Sequence, residues 1–296
     1  MTSISFCIPL YYPNMVFLQK TVLSVLSQNV SNWELKLVDG SGTYSREVGE
    51  FVESLKDKRI EYCVNTGDTS MAGNWNFCIK LASYNLVTLL HDDDYLLPTY
   101  LESIISLNEQ QPTALAYFTG ARTVDGNGKP CLTMADRVKR CLQPKSAMIQ
   151  LSGDHGLSTL LAVNFIFCPT LCYQKKYMHG FSFQSKWHMV ADLQFYSSAL
   201  VDGKSFYGVS EPHYIYRRHE SNQTAKLTVT TRRFDEEIQL YNQLAASLDS
   251  KLWPKSQREA AGKSMIKKHI IFTIILACLR FDFRYATRLF KLFRSC

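Results

Sequence analysis

Apolar and polar positions along the first hundred residues fall into two kinds of block. Ile4–Leu10, 33–38, Ile60–Val64 and 86–90 are short, nearly continuous β-type runs of strand length. Between them lie 17–28, with Leu18, Val22, Val25 and Leu26 on one face, then 46–56 and 72–82, all reading as helices. Such alternation predicts an α/β fold with a mostly parallel sheet flanked by helices. Helix is predicted again over 98–110, a strand over 114–119, and a hairpin turn at Asp125-Gly126-Asn127-Gly128. Residues 131–160 follow no clear period and read as a mobile or substrate-covering loop with some helix.

The run from Leu86 ends in His91-Asp92-Asp93-Asp94, three successive carboxylates at the C-terminal end of a predicted strand. Open α/β sheets bind ligands at that end. Carboxylates packed this closely repel one another, and a hard divalent cation such as Mg²⁺ or Mn²⁺ relieves the repulsion. The alternative is a solvated acidic turn, with Tyr95-Leu96-Leu97-Pro98 opening the next helix. A second strand ends in Asp39-Gly40-Ser41, so the fold brings two acidic loops to one sheet edge. There a carboxylate can accept the imide N–H of a base or bond a ribose hydroxyl.

Composition narrows the class. The 296 residues, 46% apolar and 20% charged, suffice for one large domain or a domain with a C-terminal extension. Nine cysteines without a CxxC pair indicate neither a disulfide framework nor a zinc site, and fit a reducing compartment. The chain enters its first strand at Ile4 without a signal-peptide pattern, so a cytoplasmic location is expected.

Charge is concentrated at one end. Residues 262–296 hold eight Lys or Arg against the single acidic Asp282, which accounts for the whole formal excess of +7. Ile270 to Leu279 is an apolar run, about half the roughly 20 residues a membrane span needs. Arg280, Arg284, Arg288, Lys291 and Arg294 then recur at helical spacing beside Phe281, Tyr285, Leu289, Leu292 and Phe293. A basic stripe next to an apolar one predicts a helical tail peripheral on an anionic membrane, the inner face of the cytoplasmic membrane. The alternative is a pair of docked helices with a solvated basic face. Nucleic acid is not an expected partner, because basic residues interleaved with stacking aromatics are missing elsewhere.

The ordered set Ser3-Ile4-Ser5-Phe6-Cys7-Ile8-Pro9-Leu10-Tyr11-Tyr12, Leu23 to Gln28, Val38-Asp39-Gly40-Ser41, Asn74-Trp75-Asn76 and Leu90 to Pro98 resembles glycosyltransferase family 2. The resemblance covers about residues 3–225. It implies a GT-A catalytic domain over 1–225 followed by a C-terminal helical region over 226–296. It also implies a nucleotide-sugar donor (UDP-, dTDP- or GDP-linked), Mn²⁺ or Mg²⁺, and inversion at the anomeric carbon. Two departures stand out: Tyr12 where the family usually has Asn, and Val38-Asp39 where it has two acidic residues.

Carried over by position, Pro9, Leu10 and Tyr11 line the nucleotide pocket and Asp39 contacts the base. Asp93 is the metal position, and Asp92 and Asp94 contact ribose, sugar or metal-bound water, Asp94 being a further metal candidate. Asn74 either bonds the donor or braces a helix. Asp192, in Trp187 to Tyr196, resembles the family's catalytic base, which an inverting transfer needs to deprotonate the acceptor hydroxyl. His188 is the alternative base. Arg217 and His219, within Tyr214 to Ser221, are leaving-group candidates, since cationic groups stabilise a departing diphosphate. The acceptor expected from the basic tail is a glycan or lipid-linked glycan of surface-polysaccharide synthesis. A nucleotidyltransferase is disfavoured because Pro9 to Asn14 lacks a Gly-rich phosphate loop. A non-catalytic nucleotide-sugar-binding or membrane-scaffold protein would keep the fold without a base.

Overall fold

The computed structural model describes residues 2–219 and 230–296. Its contacts group the chain into two compact units, each assembled from separate stretches. The first contains Met1–Gln150, Ile166–Lys186 and Lys204–Arg218, and the second Leu151–Phe165, Trp187–Gly203 and His219–Cys296. The domain boundary expected at residue 225, with Glu220 and Ser221, lies outside the described residues.

The first unit carries the sheet. Strands β1 (Ile4–Leu10), β2 (Trp33–Asp39), β3 (Ile60–Val64) and β4 (Leu86–Leu89) alternate with helices α1 (Met15–Leu26), α2 (Arg46–Ser54) and α3 (Met71–Leu81). They run parallel in the order β3-β2-β1-β4, with Leu10 beside Asp39 and Cys7 beside Leu89. The strand ends that precede the two acidic loops therefore lie at the same edge of the sheet, one on each side of β1. β1 is paired on both edges and covered on both faces, which is why six of its seven residues are buried and its sequence is almost wholly apolar. Leu18, Val22 and Val25 of α1 join Phe6, Ile8 and Leu35 in one core, as the helical spacing predicts.

Short β5 (Tyr95–Leu96), helix α4 (Tyr100–Gln110), β6 (Ala116–Asp125), α5 (Met134–Leu142), β7 (Ile149–Leu151), β8 (Leu171–Gln174) and β9 (Phe206–Arg218) complete the sheet region. Beyond β4 the order is β8-β6-β9-β5, with β8 antiparallel to both neighbours and β6 parallel to β9.

Four expectations need correction. α4 starts at Tyr100 rather than at residue 98, because Tyr95–Leu96 pairs with β9 first. β6 does not stop at residue 119: the pairing shifts register at Gly120, where any Cβ would strike the Ser210 carbonyl, and the strand runs on to Asp125. Residues 131–160 are more ordered than a covering loop. Thr133 and Asp136 form a reciprocal capping box that starts α5, and β7 follows.

The second unit is helical: α6 (Gly153–Ala162), α7 (Ala191–Val201), α8 (Arg232–Ser247), α9 (Pro254–Gly262), α10 (Ser264–Leu279) and α11 (Phe283–Ser295). Here the fourth correction applies. The tail breaks at 280–282, where Phe281 takes φ +59° and the Asp282 carboxylate caps α11 by accepting the Tyr285 N–H at 3.0 Å. No helix among the described residues is long and apolar enough to cross a membrane.

Candidate active site

The acidic loop after β4 is braced from several sides of the first unit. The Thr21 hydroxyl donates to the Asp94 carbonyl at 2.5 Å and lies 3.0 Å from the Asp92 carbonyl. One turn on, Ser24 Oγ accepts the Leu96 N–H at 3.0 Å, and the Gln28 amide bonds both Leu97 O and the Leu101 N–H. Thr21 and Ser24 on α1 and Gln28 just past its C-terminal cap thus form a buried polar stripe with the loop wrapped on it. From β9, Arg217 N–H and Tyr214 O–H each donate to one oxygen of the Asp94 carboxylate, at 2.7 and 2.9 Å.

His91, Asp93 and Asp94 bring an imidazole and two carboxylates together, with ligating atoms all within 4.8 Å of one another. Two hard oxygen donors with one nitrogen suit Mn²⁺ or Mg²⁺ completed by phosphate and water oxygens. Burial pushes the Asp94 carboxyl well above the usual carboxylate range and repulsion from Asp93 adds to it, while Arg217 N–H and Tyr214 O–H oppose the rise. A cation in the group favours the charged form, so the donor set and a divalent ion fit one another. Burial lowers the His91 pKa although Asp93 pulls it upward, which keeps the imidazole in the neutral, ligating form. Its ring stacks on Trp75, centroids 6.0 Å apart.

At the neighbouring strand ends, the Asp39 carboxylate accepts Ser41 N–H at 2.8 Å and Tyr62 O–H at 2.7 Å. Burial pushes Tyr62 up to about 12, with the Asp39 hydrogen bond and charge adding to the rise. Tyr11 is 65% exposed and meets Tyr12 edge to face at 4.8 Å. Tyr12 has φ +48°, a left-handed position that Asn tolerates better than a bulky aromatic residue. Pro9 is half-buried beside them.

Leu10, Asn74 and Arg217, like Asp39 and Asp94, are buried and pack or bond inside the first unit. The Leu10 side chain is fully buried in the core, so its contribution at this edge is the carbonyl that accepts the Gly40 N–H. The Asn74 amide, 3% exposed, donates to Val38 O at 3.1 Å and accepts from Asn65, which ties α3 across the strand ends. Arg217, also 3% exposed, spends Nε on Asp93 O at 2.7 Å and Nη1 on Gly126 O at 3.2 Å, its guanidinium lying over the Phe17 ring. It clamps the acidic loop where a leaving-group contact was expected. Asn76 is likewise a brace, bonded to both backbone groups of Phe183.

Asp192 and His219 belong to the second unit and are both half-buried. Asp192 sits in the first turn of α7 and accepts Leu193 N–H at 2.7 Å. The segment leading into it is held by Glu236 of α8, whose Oε2 accepts the N–H groups of His188 and Met189 at 2.8 and 2.7 Å. Arg232 reaches both Glu236 Oε1 and the His188 ring.

Sequence reasoning passed over His91, Tyr62, Glu236 and the α1 stripe. Polar residues at 21, 24 and 28, in register with the buried face of an amphipathic helix, were the one signal available.

Three comparisons bear on this geometry. The model for "Glycosyl transferase family 2" matches residues 5–154, half of the chain and the part that holds both acidic loops. The colanic acid biosynthesis glycosyl transferase WcaA of Escherichia coli (strain K12) is 32% identical over 94 residues, 32% of this chain and about a third (34%) of that protein's length. Among solved structures, S. aureus TarS 1–349 in complex with UDP-GlcNAc superposes with TM-score 0.66 at 14% identity, covering 88% of this chain and 72% of that one. The structure of S. aureus TarS gives TM-score 0.60 at 13% identity, covering 90% of this chain and 42% of that one. The shared fold is the GT-A arrangement, a largely parallel sheet flanked by helices and followed by C-terminal helices. With two acidic loops at the ends of the parallel strands that flank β1 and a family match spanning them, this chain belongs to glycosyl transferase family 2.

Proposed function

We propose that the protein moves a sugar from a nucleotide-sugar donor to a hydroxyl of a glycan acceptor, with inversion and with Mn²⁺ or Mg²⁺ bound. The observation that carries the reading is the braced group His91, Asp93 and Asp94 inside the family match. Tyr11, Pro9 and Asp39 are assigned to the base, Asp92 to ribose or sugar, and His219 to the diphosphate. A bound divalent cation supplies charge stabilisation for the departing diphosphate. Asp192 is the base: its carboxylate takes the proton of the acceptor hydroxyl as that oxygen bonds the anomeric carbon. The bond from that carbon to the diphosphate oxygen breaks in the same step, and its electron pair leaves on the nucleotide. Leu10, Asn74 and Arg217 act by holding the strand ends and loops in place.

UDP-linked sugars head the donor candidates, since the fold is shared with a structure holding UDP-GlcNAc. The WcaA similarity supports a role in bacterial surface-polysaccharide synthesis, and the basic tail supports a lipid-linked acceptor at a membrane surface. The test is a panel of nucleotide sugars with Mn²⁺ or with chelator, on wild type, Asp93→Ala and Asp192→Ala. Metal-dependent turnover lost in both variants, with donor binding kept in Asp192→Ala, is the expected result. Absence of nucleotide-sugar binding under every condition would overturn the reading.

A further inference from the structure

The hairpin α10–α11 turns outward a face that the apolar sequence stripe touches only at Phe281. Ile266, Ile270, Ala277, Ala286 and Leu289 are its buried residues. Leu289 is fully buried and its stripe partners Tyr285, Leu292 and Phe293 are half-buried, so that stripe packs inward. What stays outside is a second apolar line. On α10, Phe272, Ile275 and Leu279 share one face, 40%, 53% and 71% exposed. Phe281 and Phe283 at the bend are 80% and 62% exposed, and Phe290 on α11 is 52% exposed.

On α11 the aromatic line of Phe283 and Phe290 lies between the buried face and a cationic one. Arg284, Arg288 and Lys291 are all exposed at spacings of four and three, about 100° of helix turn from those rings. Arg294 lies over the Phe290 ring, 5.6 Å from its centroid. The nearby acidic residue, Asp282, is occupied as the cap of α11. Phe281 adds a third observation: its left-handed backbone is unfavourable for a bulky side chain, and that conformation carries the most exposed ring of the hairpin.

Exposed apolar side chains rimmed by cations want an occupant that is oily in depth and anionic at its border. A second copy of this chain would set like charges face to face, and an acidic polymer would leave the phenylalanines in water. An acidic bilayer satisfies both halves. We propose that the hairpin docks on an anionic lipid surface, with Leu279, Phe281 and Phe283 among the acyl chains. Arg280, Arg284, Arg288 and Lys291 then lie against headgroup phosphates. This deepens the lipid-linked reading above by naming the docking surface, and it rests on that reading only for its purpose.

The test uses the full chain with vesicles of phosphatidylcholine alone or mixed with phosphatidylglycerol, without donor or acceptor, so docking and transfer can fail separately. Capture by the acidic vesicles, weakened by salt, is expected. Each basic residue contributes roughly fivefold to affinity at such a surface, so Arg284→Glu/Arg288→Glu loses about twentyfold or more. Phe281→Ser/Phe283→Ser also loses capture, while both variants keep the wild-type melting curve. In Phe281→Trp the indole emission shifts to the blue and is quenched by brominated acyl chains, a readout that needs no loss of function. Unquenched indole emission overturns the proposal. So does capture undiminished in both double variants, or a vesicle-indifferent dimer that Phe281→Ser dissociates.

Discussion

The main-chain N–H of Arg217 lies 2.7 Å from the Asp94 carboxylate, and the same residue's Nε lies 2.7 Å from the carbonyl of Asp93. One residue at the end of β9 therefore fixes two successive positions of the acidic loop, one through its backbone and one through its side chain. Only the side-chain half is open to substitution.

Arg217→Ala strips the half-buried Asp93 and Gly126 carbonyls of a charge-assisted donor and should cost about 1.5–3 kcal/mol, read from urea unfolding midpoints. Arg217→Lys cannot reproduce the fork and should recover less than half of that loss. An exposed leaving-group residue would instead show unchanged stability and reduced turnover.

His91→Ala removes the nitrogen donor of the proposed cation group. Mn²⁺ affinity, followed by the free-ion electron paramagnetic resonance signal, should fall by about tenfold or more. Unaltered affinity would leave the cation to the carboxylates alone.

Glu236 presents one carboxylate oxygen to two N–H groups just ahead of α7. Glu236→Ala leaves both donors unpaired, and transfer turnover should drop at least about tenfold, in line with the proposed base Asp192 being displaced by a fraction of an ångström. Glu236→Gln keeps an oxygen in place and should restore most of the rate. Nucleotide-sugar affinity should be equal in all three proteins, which separates positioning of Asp192 from a general loss of structure.

Asp136 supplies a pH signature. Burial alone would raise its pKa, but the Thr133 hydroxyl and the Arg218 guanidinium outweigh it and hold the carboxyl below its ordinary value. A folded value below the unfolded one contributes stability that is complete above the unfolded pKa of about 3.9 and disappears as pH falls through the folded one. The unfolding midpoint of wild type should exceed that of Asp136→Asn at neutral pH, and the gap should close below about pH 4.

The strands and helices of the parallel half were legible because each is covered on defined faces, so burial wrote its period into the residues. Helix starts were not. Asn14, whose side chain accepts from Val16 N and Phe17 N, lies three residues ahead of the predicted start of α1, and the cap is read from backbone geometry rather than hydropathy. In the candidate site, the acidic run and Asp39 were visible as residue types, but their partners were not. Tyr214 meets Asp94 across 120 positions of chain, and nothing local in either segment announces the pair. The inward orientation of Leu10, Asn74 and Arg217 follows from the same cause. A motif fixes where a residue sits along a strand, while neighbours far away decide which way its polar atoms are used.

The buried hydroxyls of Thr21 and Ser24 make α1 more than a cover for the sheet. The rod begins just beyond Tyr11 and Tyr12, beside one acidic loop, and its buried hydroxyls grip the other. Its two ends share one rigid body without a hinge between them. A change that tilts α1, even at an outward position such as Leu23, would shift the proposed seat for the base and the proposed seat for the cation in concert. Donor preference and metal preference in this protein should then drift together under mutation, as two readings of a single lever.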